Sequence, residues 1–301
     1  MFLELFISMR YLRAKRKQAF ISVITVISVL GVMVGVMALL IVLSVMNGFR
    51  ADLMTKILGV NSHLLVLNRT GAFSEHKEIV EKVSRVDGTV AAAPFVYGQV
   101  MVNKSGNVSG AILRGIDPEK AGRVLNIGRM ITEGSVDSLT NDAGELPSLI
   151  IGRELAKQLG VYPGDTVHLI SPEGKLTPLG RVPSTQEYRV TAIFDSGMYE
   201  YDASMVFVSL EVAQSFLGLG NRITGVEVRV QDIYRSDRVG KSIEAALGDG
   251  FRTEDWKVRN RSLFSALRLE KFAMFVILTM IVLVGALNII STLVMVVMEK
   301  T

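Results

Sequence analysis

Two long stretches without a charged residue lie near the two ends of the chain, at residues 20–47 and 272–298. At about 1.5 Å per residue, each stretch forms a helix of roughly 40 Å, enough to cross a hydrocarbon core of ~30 Å. Core helices of soluble proteins seldom run so long without a charge. We therefore predict two transmembrane helices, residues 20–47 and 272–298.

A cleaved signal peptide is the alternative for the first stretch, because basic residues precede it. Its apolar run, however, is about twice as long as the apolar region of a signal peptide, and no small-x-small cleavage site follows it. We interpret the first stretch as an uncleaved anchor.

Helical periodicity continues beyond both spans, toward the middle of the chain. Residues 49–57 keep apolar positions four apart and stop at Gly59, whereas Leu263 and Leu267 lead in helical register into the second span. No Gly or Pro interrupts residues 259–284. We predict stiff helical stalks, the second over residues 259–271, which can transmit movement across the membrane.

The segment between the spans, residues 48–271, alternates strand-like and helix-like patterns. Its middle is richer in strands and turns than its flanks, which favours an α+β domain: an α/β subdomain (48–110 and 205–258) with an inserted β-rich subdomain (111–204). Strands are predicted at 63–67, 99–103, 109–114, 166–170, 188–194, 205–208, 225–230 and 251–258, and helices at 74–83 (capped by Ser74), 153–159, 211–217 and 236–247.

The charge distribution predicts the orientation. Before the first span the chain has one acidic residue, Glu4, and five basic residues: Arg10, Arg13, Lys15, Arg16 and Lys17. Their excess of four positive charges equals the net charge of the whole chain, +4. Such a cluster beside a span keeps its side of the protein in the cytoplasm. Residues 1–19 are thus predicted to be a cytoplasmic interfacial helix with a basic flank, and residues 48–271 to lie outside. The chain has no cysteine, which is compatible with a bacterial periplasm.

Small residues repeat at i, i+4 spacing within the first span. Gly31 and Gly35 form a small-xxx-small pair that Ser28 and Ala38 extend. Such a stripe lets another helix approach closely, so we predict that Gly31 and Gly35 pack against a partner helix. The alternative is a chance pair in a glycine-tolerant membrane helix.

No catalytic, metal or cofactor constellation is visible in the sequence. The three histidines are scattered, without metal-ligand spacing to a carboxylate. Gly240-Lys-Ser242 imitates the end of a phosphate loop, but Arg235 stands where the first glycine is needed. Asp195, Glu200 and Asp202 are interpreted as a polar loop. We predict that the chain is not an enzyme.

A proline-rich loop separates two predicted strands. Residues 171–186 contain three of the seven prolines, and the loop also carries Leu176, Leu179 and Val182. Prolines fix the backbone and reduce the entropy lost on binding. We predict a stiff projecting loop that docks on an apolar partner surface; the alternative is a long but ordinary hairpin tip.

Four sequence stretches resemble the LolC/LolE permeases of the lipoprotein-releasing ABC transporter, over essentially the whole chain. Met-Asn-Gly-Phe and Thr-Pro-x-Gly-Arg-x-Pro together are fairly specific for that family. The stretches are Val45-Met-Asn-Gly-Phe49, Ile151-Gly-Arg-Glu-Leu-Ala156, Thr177-Pro-Leu-Gly-Arg-Val-Pro183, and Asn288-Ile-Ile-Ser-Thr-Leu-Val294 followed by Met298-Glu-Lys-Thr301.

The resemblance implies a transport function and a MacB-like periplasmic core. Such permeases pair with a second LolC/LolE-type permease and with a cytoplasmic ABC ATPase (LolD-like) in the bacterial inner membrane. They extract lipoproteins and pass them to the periplasmic chaperone LolA. The loop favours LolC or a combined LolC/E form, because LolE-type permeases do not recruit the chaperone.

The resemblance also implies two sets of site residues. The hook-like loop, residues 171–187, would contact the chaperone through Pro178, Leu179, Gly180 and Arg181. The outer ends of the spans, with Met46, Asn47 and Phe49, would line the lipoprotein cavity. Family members continue through a cytoplasmic coupling helix and two further spans, so the resemblance implies that this chain, which stops at Thr301, is truncated after the second transmembrane helix and inactive alone.

Two alternative functions remain open at this point. A MacB-like or FtsX-like mechanotransmitting permease shares the overall plan without needing the proline loop. A two-span sensory receptor with a periplasmic ligand-binding domain would show a signalling linker and a coiled coil after its second span.

Overall fold

The computed structural model describes residues 19–140, 146–177 and 180–300. The chain divides into a helical unit, formed by Met1–Asp52 with Arg261–Thr301, and a mixed unit, Leu53–Asn260. The predicted interfacial helix and basic flank, and the loop residues Pro178 and Leu179, lie outside the described residues.

Two helices dominate the helical unit, α1 (Ala19–Val60) and, as the last helix of the chain, α10 (Arg261–Lys300). Each contains a segment that is long and apolar enough to cross a membrane, Val29–Val60 and Phe264–Met295. Only 6% of the apolar window of each helix is buried, which excludes the core helix of a soluble protein as the explanation. The two predicted apolar stretches are thus both helical.

The mixed unit is built on one ten-stranded sheet in the order β10-β1-β9-β2-β3-β8-β5-β7-β4, with β6 pairing with β2 and β7. Among the described strands, β3–β8 and β5–β7 pair in parallel, and the other pairs are antiparallel. The strands are β1 (Leu64–Asn68), β2 (Thr89–Lys104), β3 (Asn107–Ile116), β4 (Ile131–Glu133), β5 (Ser148–Gly152), β6 (Thr166–Thr177), β7 (Gly180–Phe194), β8 (Met205–Ser209), β9 (Gly225–Val230) and β10 (Phe251–Asp255).

Short helices connect these strands. They are α2 (His76–Ser84), α3 (Pro118–Val124), α4 (Ile127–Met130), α5 (Arg153–Leu159), α6 (Tyr199–Asp202), α7 (Leu210–Phe216), α8 (Ser236–Leu247) and α9 (Trp256–Arg259), with 3₁₀ turns at Val136–Leu139 and Ile233–Arg235.

The strand order separates the flanking segments from the middle of the chain. Strands β10, β1, β9, β2, β3 and β8 are contiguous, whereas β5, β7 and β4, from the middle of the chain, complete the other end. The mixed unit, an α/β sheet with inserted strands, and the two membrane-type helices of the other unit confirm the predicted fold class. The residue boundaries of the two subdomains stay a prediction.

Two apolar cores cover the two faces of the sheet, because successive side chains of a strand point to opposite faces. On β8, Val206 and Val208 belong to the larger core, whereas Met205 and Phe207 belong to the smaller one. Phe207 packs edge to face on Phe194, with ring centroids 5.2 Å apart.

Several predicted bounds differ from the structure: strand β2, for example, begins at Thr89, ten residues before its predicted start at residue 99. Helix α2 begins at His76 with Glu75 at its N-cap, and the predicted cap Ser74 lies outside it. Strand β10 ends at Asp255 instead of Val258, because the Asp255 carboxylate accepts a hydrogen bond from Val258 N (2.8 Å) and caps α9. Asn260 separates α9 from α10, so the helix that contains the second apolar stretch begins at Arg261; the stalk over residues 259–271 stays a prediction.

Candidate functional site

The proline-rich loop continues the ladder of strands β6 and β7. The strands remain paired from Ile170↔Thr185 to Thr177↔Gly180, with a register shift between Ser171 and Lys175. β6 pairs with β2 only as far as Ile170, and β7 pairs with β5 only from Arg189 onward. Within the described residues, the outer part of the hairpin therefore pairs only with itself and forms an arm.

Prolines account for the irregularity of this arm. Pro172 lies in the shifted stretch of β6, and Pro183 lies opposite it in β7. Because proline has no N–H to donate, it interrupts a ladder of backbone hydrogen bonds and is tolerated at bulges and edges. Of the predicted chaperone-contacting residues, Gly180 and Arg181 begin β7, while Pro178 and Leu179 lie outside the described residues.

The residues predicted to line the lipoprotein cavity lie within α1. Met46 is half-buried, and Asn47 and Phe49 are exposed. Gly48 does not interrupt the helix, so the predicted span and the first stalk form one continuous helix.

The two predicted packing glycines of α1 differ in their surroundings. A Cβ built on Gly35 would lie 3.4 Å from Cγ2 of Ile281 in α10, whereas one built on Gly31 meets nothing within 4 Å among the described residues. On α10, a Cβ at Gly285 would lie 3.1 Å from Val32 Cγ2. The second glycine of the predicted pair thus faces α10.

A buried ion pair holds the end of α1 against the sheet. Arg114 on β3 donates from Nη1 to the carbonyl oxygen of Val60 (3.0 Å) and from Nη2 to the carboxylate of Glu227 on β9. The Arg114 and Glu227 side chains are 4% and 2% exposed. Burial and, after it, the nearby Arg259 lower the pKa of Arg114 to about 9, which leaves it charged at neutral pH.

The two ends of the mixed unit, near Asn61 and Arg259, lie beside this pair. Asn61, which follows α1, donates to Ile57 O (3.2 Å) and accepts at Oδ1 from Arg259 Nη2 (2.8 Å). Trp256 N donates to His63 O (3.1 Å). The residues after α1 and before α10 are thus tied to one another; we name Val60, Asn61, Arg114, Glu227 and Arg259 the polar junction.

A cavity of about 370 Å³ opens next to the polar junction. Its floor is one face of five neighbouring strands, β1, β9, β2, β3 and β8, and is mainly apolar. Side chains from α6 and from the polar junction form the rim. The lining residues are Asn61, Leu65, Leu67, Phe95, Tyr97, Ile112, Arg114, Glu200, Tyr201, Ser204, Met205, Thr224, Glu227 and Arg259.

The interpretation of Asp195, Glu200 and Asp202 as a polar loop is wrong for two of them, because Glu200 and Asp202 lie in the short helix α6. Asp202 is buried and accepts from Ser196 N (2.8 Å) and Ser196 Oγ (2.7 Å). Burial raises the pKa of Asp202, whereas the N–H of Gly197 lowers the pKa of Asp195, which also pairs with Arg153. Among the described residues, no cluster of His, Asp and Glu fits a metal ion.

Sequence reasoning missed Arg114 and Glu227, the most deeply buried charges of the site. A usable signal existed: each interrupts an apolar strand, in Ile112-Leu-Arg114 and in Val226-Glu-Val228. Charged residues are almost never fully buried unless they are paired, so two such interruptions indicate a buried ion pair.

Comparison with known proteins agrees with the resemblance noted from the motifs. Residues 25–246 match the model of the MacB-like periplasmic core domain family. The lipoprotein-releasing system transmembrane protein LolC of Neisseria meningitidis serogroup B is 35% identical over 299 residues, covering 99% of this chain and 71% of that protein. LolE of Haemophilus influenzae is 27% identical, covering 98% and 71%.

Among solved structures, the periplasmic region of MacB from Actinobacillus actinomycetemcomitans superposes with a TM-score of 0.44 at 12% identity, covering 69% of this chain and 94% of that one. The family-model match spans most of the chain, and the match to LolC spans nearly all of it. The chain therefore belongs to the LolC/LolE family of lipoprotein-releasing membrane permeases and carries a MacB-like periplasmic core domain.

Proposed function

We propose that this chain is the permease subunit of an ABC transporter that extracts lipoproteins from the bacterial inner membrane and hands them to a periplasmic chaperone. The observation that carries the proposal is the similarity to LolC along 99% of the chain. A separate cytoplasmic ATPase, LolD-like, hydrolyses ATP, and a second LolC/LolE-type permease completes the membrane part. The relatives' names and the continuity of the match favour this function over a MacB-like or FtsX-like permease and over a sensory receptor.

The proposed orientation places the N-terminus in the cytoplasm and the mixed unit in the periplasm. It is supported by the five basic residues before the first span, since positive charge is retained on the cytoplasmic side. Met46, Asn47 and Phe49 then lie toward the outer end of the first span, where an acylated substrate could enter from the outer leaflet.

The polar junction is suited to pass movement of α1 to the periplasmic sheet. Arg114 contacts the last carbonyl of α1 and a strand near the middle of the sheet at once. A buried charged pair has few alternative positions, because separating it leaves an uncompensated charge in a dry interior. A shift of the last turn of α1 is therefore transmitted to β3 and β9.

The proposed chaperone contacts, Pro178, Leu179, Gly180 and Arg181, belong to the sequence segment that follows β6 and begins β7. The support is twofold: the arm extends beyond the strands that flank it, and its tip carries the Thr-Pro-x-Gly-Arg-x-Pro motif.

Binding of LolA to the full chain in neutral detergent tests the proposed recruitment. Replacing residues 178–181 by Gly-Ser-Gly-Ser should abolish binding, because it removes the proline restraint and the apolar and basic side chains of the tip. Ser105→Gly is the matched control: it changes the exposed tip of the β2–β3 hairpin, where Ser105 has φ 52°, and should leave binding unchanged. Equal affinity of the tip variant and the unaltered chain would refute recruitment by this loop.

A further inference from the structure

The cavity beside the polar junction combines an apolar floor with hydrogen-bond donors at one side. Leu65 on β1, Phe95 on β2 and Met205 on β8 are buried parts of this floor. Gly225 lies between β1 and β2 in the sheet, and a Cβ there would lie 2.9 Å from Phe95 Cε1. A side chain at this position would therefore displace two floor residues, Leu67 and Phe95.

The positive charge at the cavity exceeds its buried negative charge. Arg114 is paired with Glu227, whereas Arg259 forms no ion pair within 4.0 Å among the residues that the structure describes, and Glu254 acts on it only from a greater distance. The group that Arg259 contacts directly is the neutral amide of Asn61. The other acidic lining residue, Glu200, is exposed at the rim and therefore solvated.

Two tyrosines complete the donor side. Tyr97 is 45% exposed and Tyr201 is half-buried. Within the described part of the chain, neither hydroxyl has a hydrogen bond to the protein. Together with the Arg259 guanidinium, they offer an oxyanion charge-assisted hydrogen bonds at the edge of an apolar surface.

We propose that this cavity binds an anionic amphiphile, a carboxylate or phosphate group on one apolar chain, with the anion at Arg259 and the chain on the floor. A volume of about 370 Å³ lies within the ~300–1,000 Å³ typical of small-molecule sites, which are mostly apolar with a few convergent polar groups. An uncharged chain would leave the Arg259 guanidinium without an anion in direct contact, and a small anion without a chain would leave the apolar floor exposed to water. The site is distinct from the tip of the hairpin and from Met46, Asn47 and Phe49.

Photo-labelling of the full chain in phosphatidylcholine nanodiscs with a diazirine analogue of decanoate tests this proposal. We expect cross-links at residues 95–97, 112 or 201. Decanoate should compete, whereas decanol and acetate should not. Competition by single-chain lysophosphatidylglycerol as well would identify a membrane phospholipid as the source of the anion; competition by decanoate alone would identify a free fatty acid. Both of these outcomes support the site.

Substitutions test whether labelling depends on the contact between the anion and Arg259 or only on the apolar floor of the cavity. Arg259→Gln should weaken labelling about tenfold, in line with the loss of one charge-assisted hydrogen bond, and Arg259→Lys should restore part of it. Arg235→Gln, which removes an exposed arginine paired with Asp232, is the matched control and should label normally. If Arg259→Gln fails to fold, judged by fluorescence of the buried Trp256, Tyr97→Glu places a repelling carboxylate at the exposed rim and should abolish labelling.

Three results would overturn the proposal. The first is equal labelling of the folded Arg259→Gln variant or of Tyr97→Glu and the unaltered chain. The second is competition by decanol as strong as that by decanoate, which would indicate a plain apolar crevice. The third is the absence of cross-links from the cavity residues.

Discussion

The buried contact between Arg114 and Glu227 determines how α1 ends. A helix C-terminus carries partial negative charge and unpaired carbonyls, so a guanidinium that donates to Val60 O is favourable there. The same guanidinium lies against Glu227 and 5.9 Å from the ring centroid of Phe207. Both charged side chains lose their hydration on folding, and the ion pair between them is the main compensation for that loss.

Glu227→Gln should lower the free energy of unfolding by about 3–5 kcal/mol, because it leaves Arg114 buried without its counter-charge. Guanidinium unfolding followed by Trp256 fluorescence can measure this: the chain has one tryptophan, and it is 2% exposed. Glu254→Gln is the matched control. Its pair with Arg252 has side chains 30% and 52% exposed, so the change should cost less than ~1 kcal/mol. Equal effects of the two substitutions would show that the buried pair does not stabilise the junction.

At the scale of elements, regular periodicity and clear terminators were sufficient for prediction. Helices α5 and α8 and strand β9 have the bounds that the sequence indicates; α5, for example, stops at Gly160, which adopts the left-handed conformation (φ 65°). Strand β5 was missed because, buried on both faces, it shows no alternation. For the outer parts of β6 and β7 the sequence predicts a loop, because proline and glycine interrupt a strand pairing that nonetheless continues.

Gly240 shows how packing outweighs helix propensity within α8. A Cβ there would lie 2.7 Å from Thr253 Oγ1 and 3.3 Å from Leu64 Cδ1. Gly240→Ala gains up to ~1 kcal/mol in propensity, but overpacking costs ~1–3 kcal/mol, so we expect net destabilisation of about 1 kcal/mol.

Gly122 in α3 provides the matched control for Gly240 in the same unfolding measurement. It is exposed, and a Cβ built there meets nothing within 4 Å. Gly122→Ala should therefore stabilise the protein by up to ~1 kcal/mol. If Gly240→Ala instead raised the free energy of unfolding, α8 would be able to move away from β10 without a loss of stability.

At the scale of the whole molecule, the sequence predicts the two membrane-type helices well and the cavity not at all. A long run of apolar residues without a charge is enough to predict a membrane-spanning helix, and this prediction needs no information from residues elsewhere in the chain. The cavity, in contrast, joins residues that are distant in sequence, such as Leu65, Ile112, Met205 and Arg259. Only the strand order β1-β9-β2-β3-β8 places them on one face, and nothing in a single sequence fixes that order.

The orientation across the membrane rests on charge alone and can be tested directly, because the chain contains no cysteine. Ser105→Cys, in the exposed turn between β2 and β3, should react with a membrane-impermeant maleimide in intact spheroplasts. Lys15→Cys should react only after the membrane is permeabilised, since the basic flank is proposed to be cytoplasmic. Labelling both variants in inverted vesicles controls for intrinsic reactivity and should reverse the pattern. Reaction of both positions from the same side would refute an odd number of crossings between them, and with it the delivery of lipoproteins to a periplasmic chaperone.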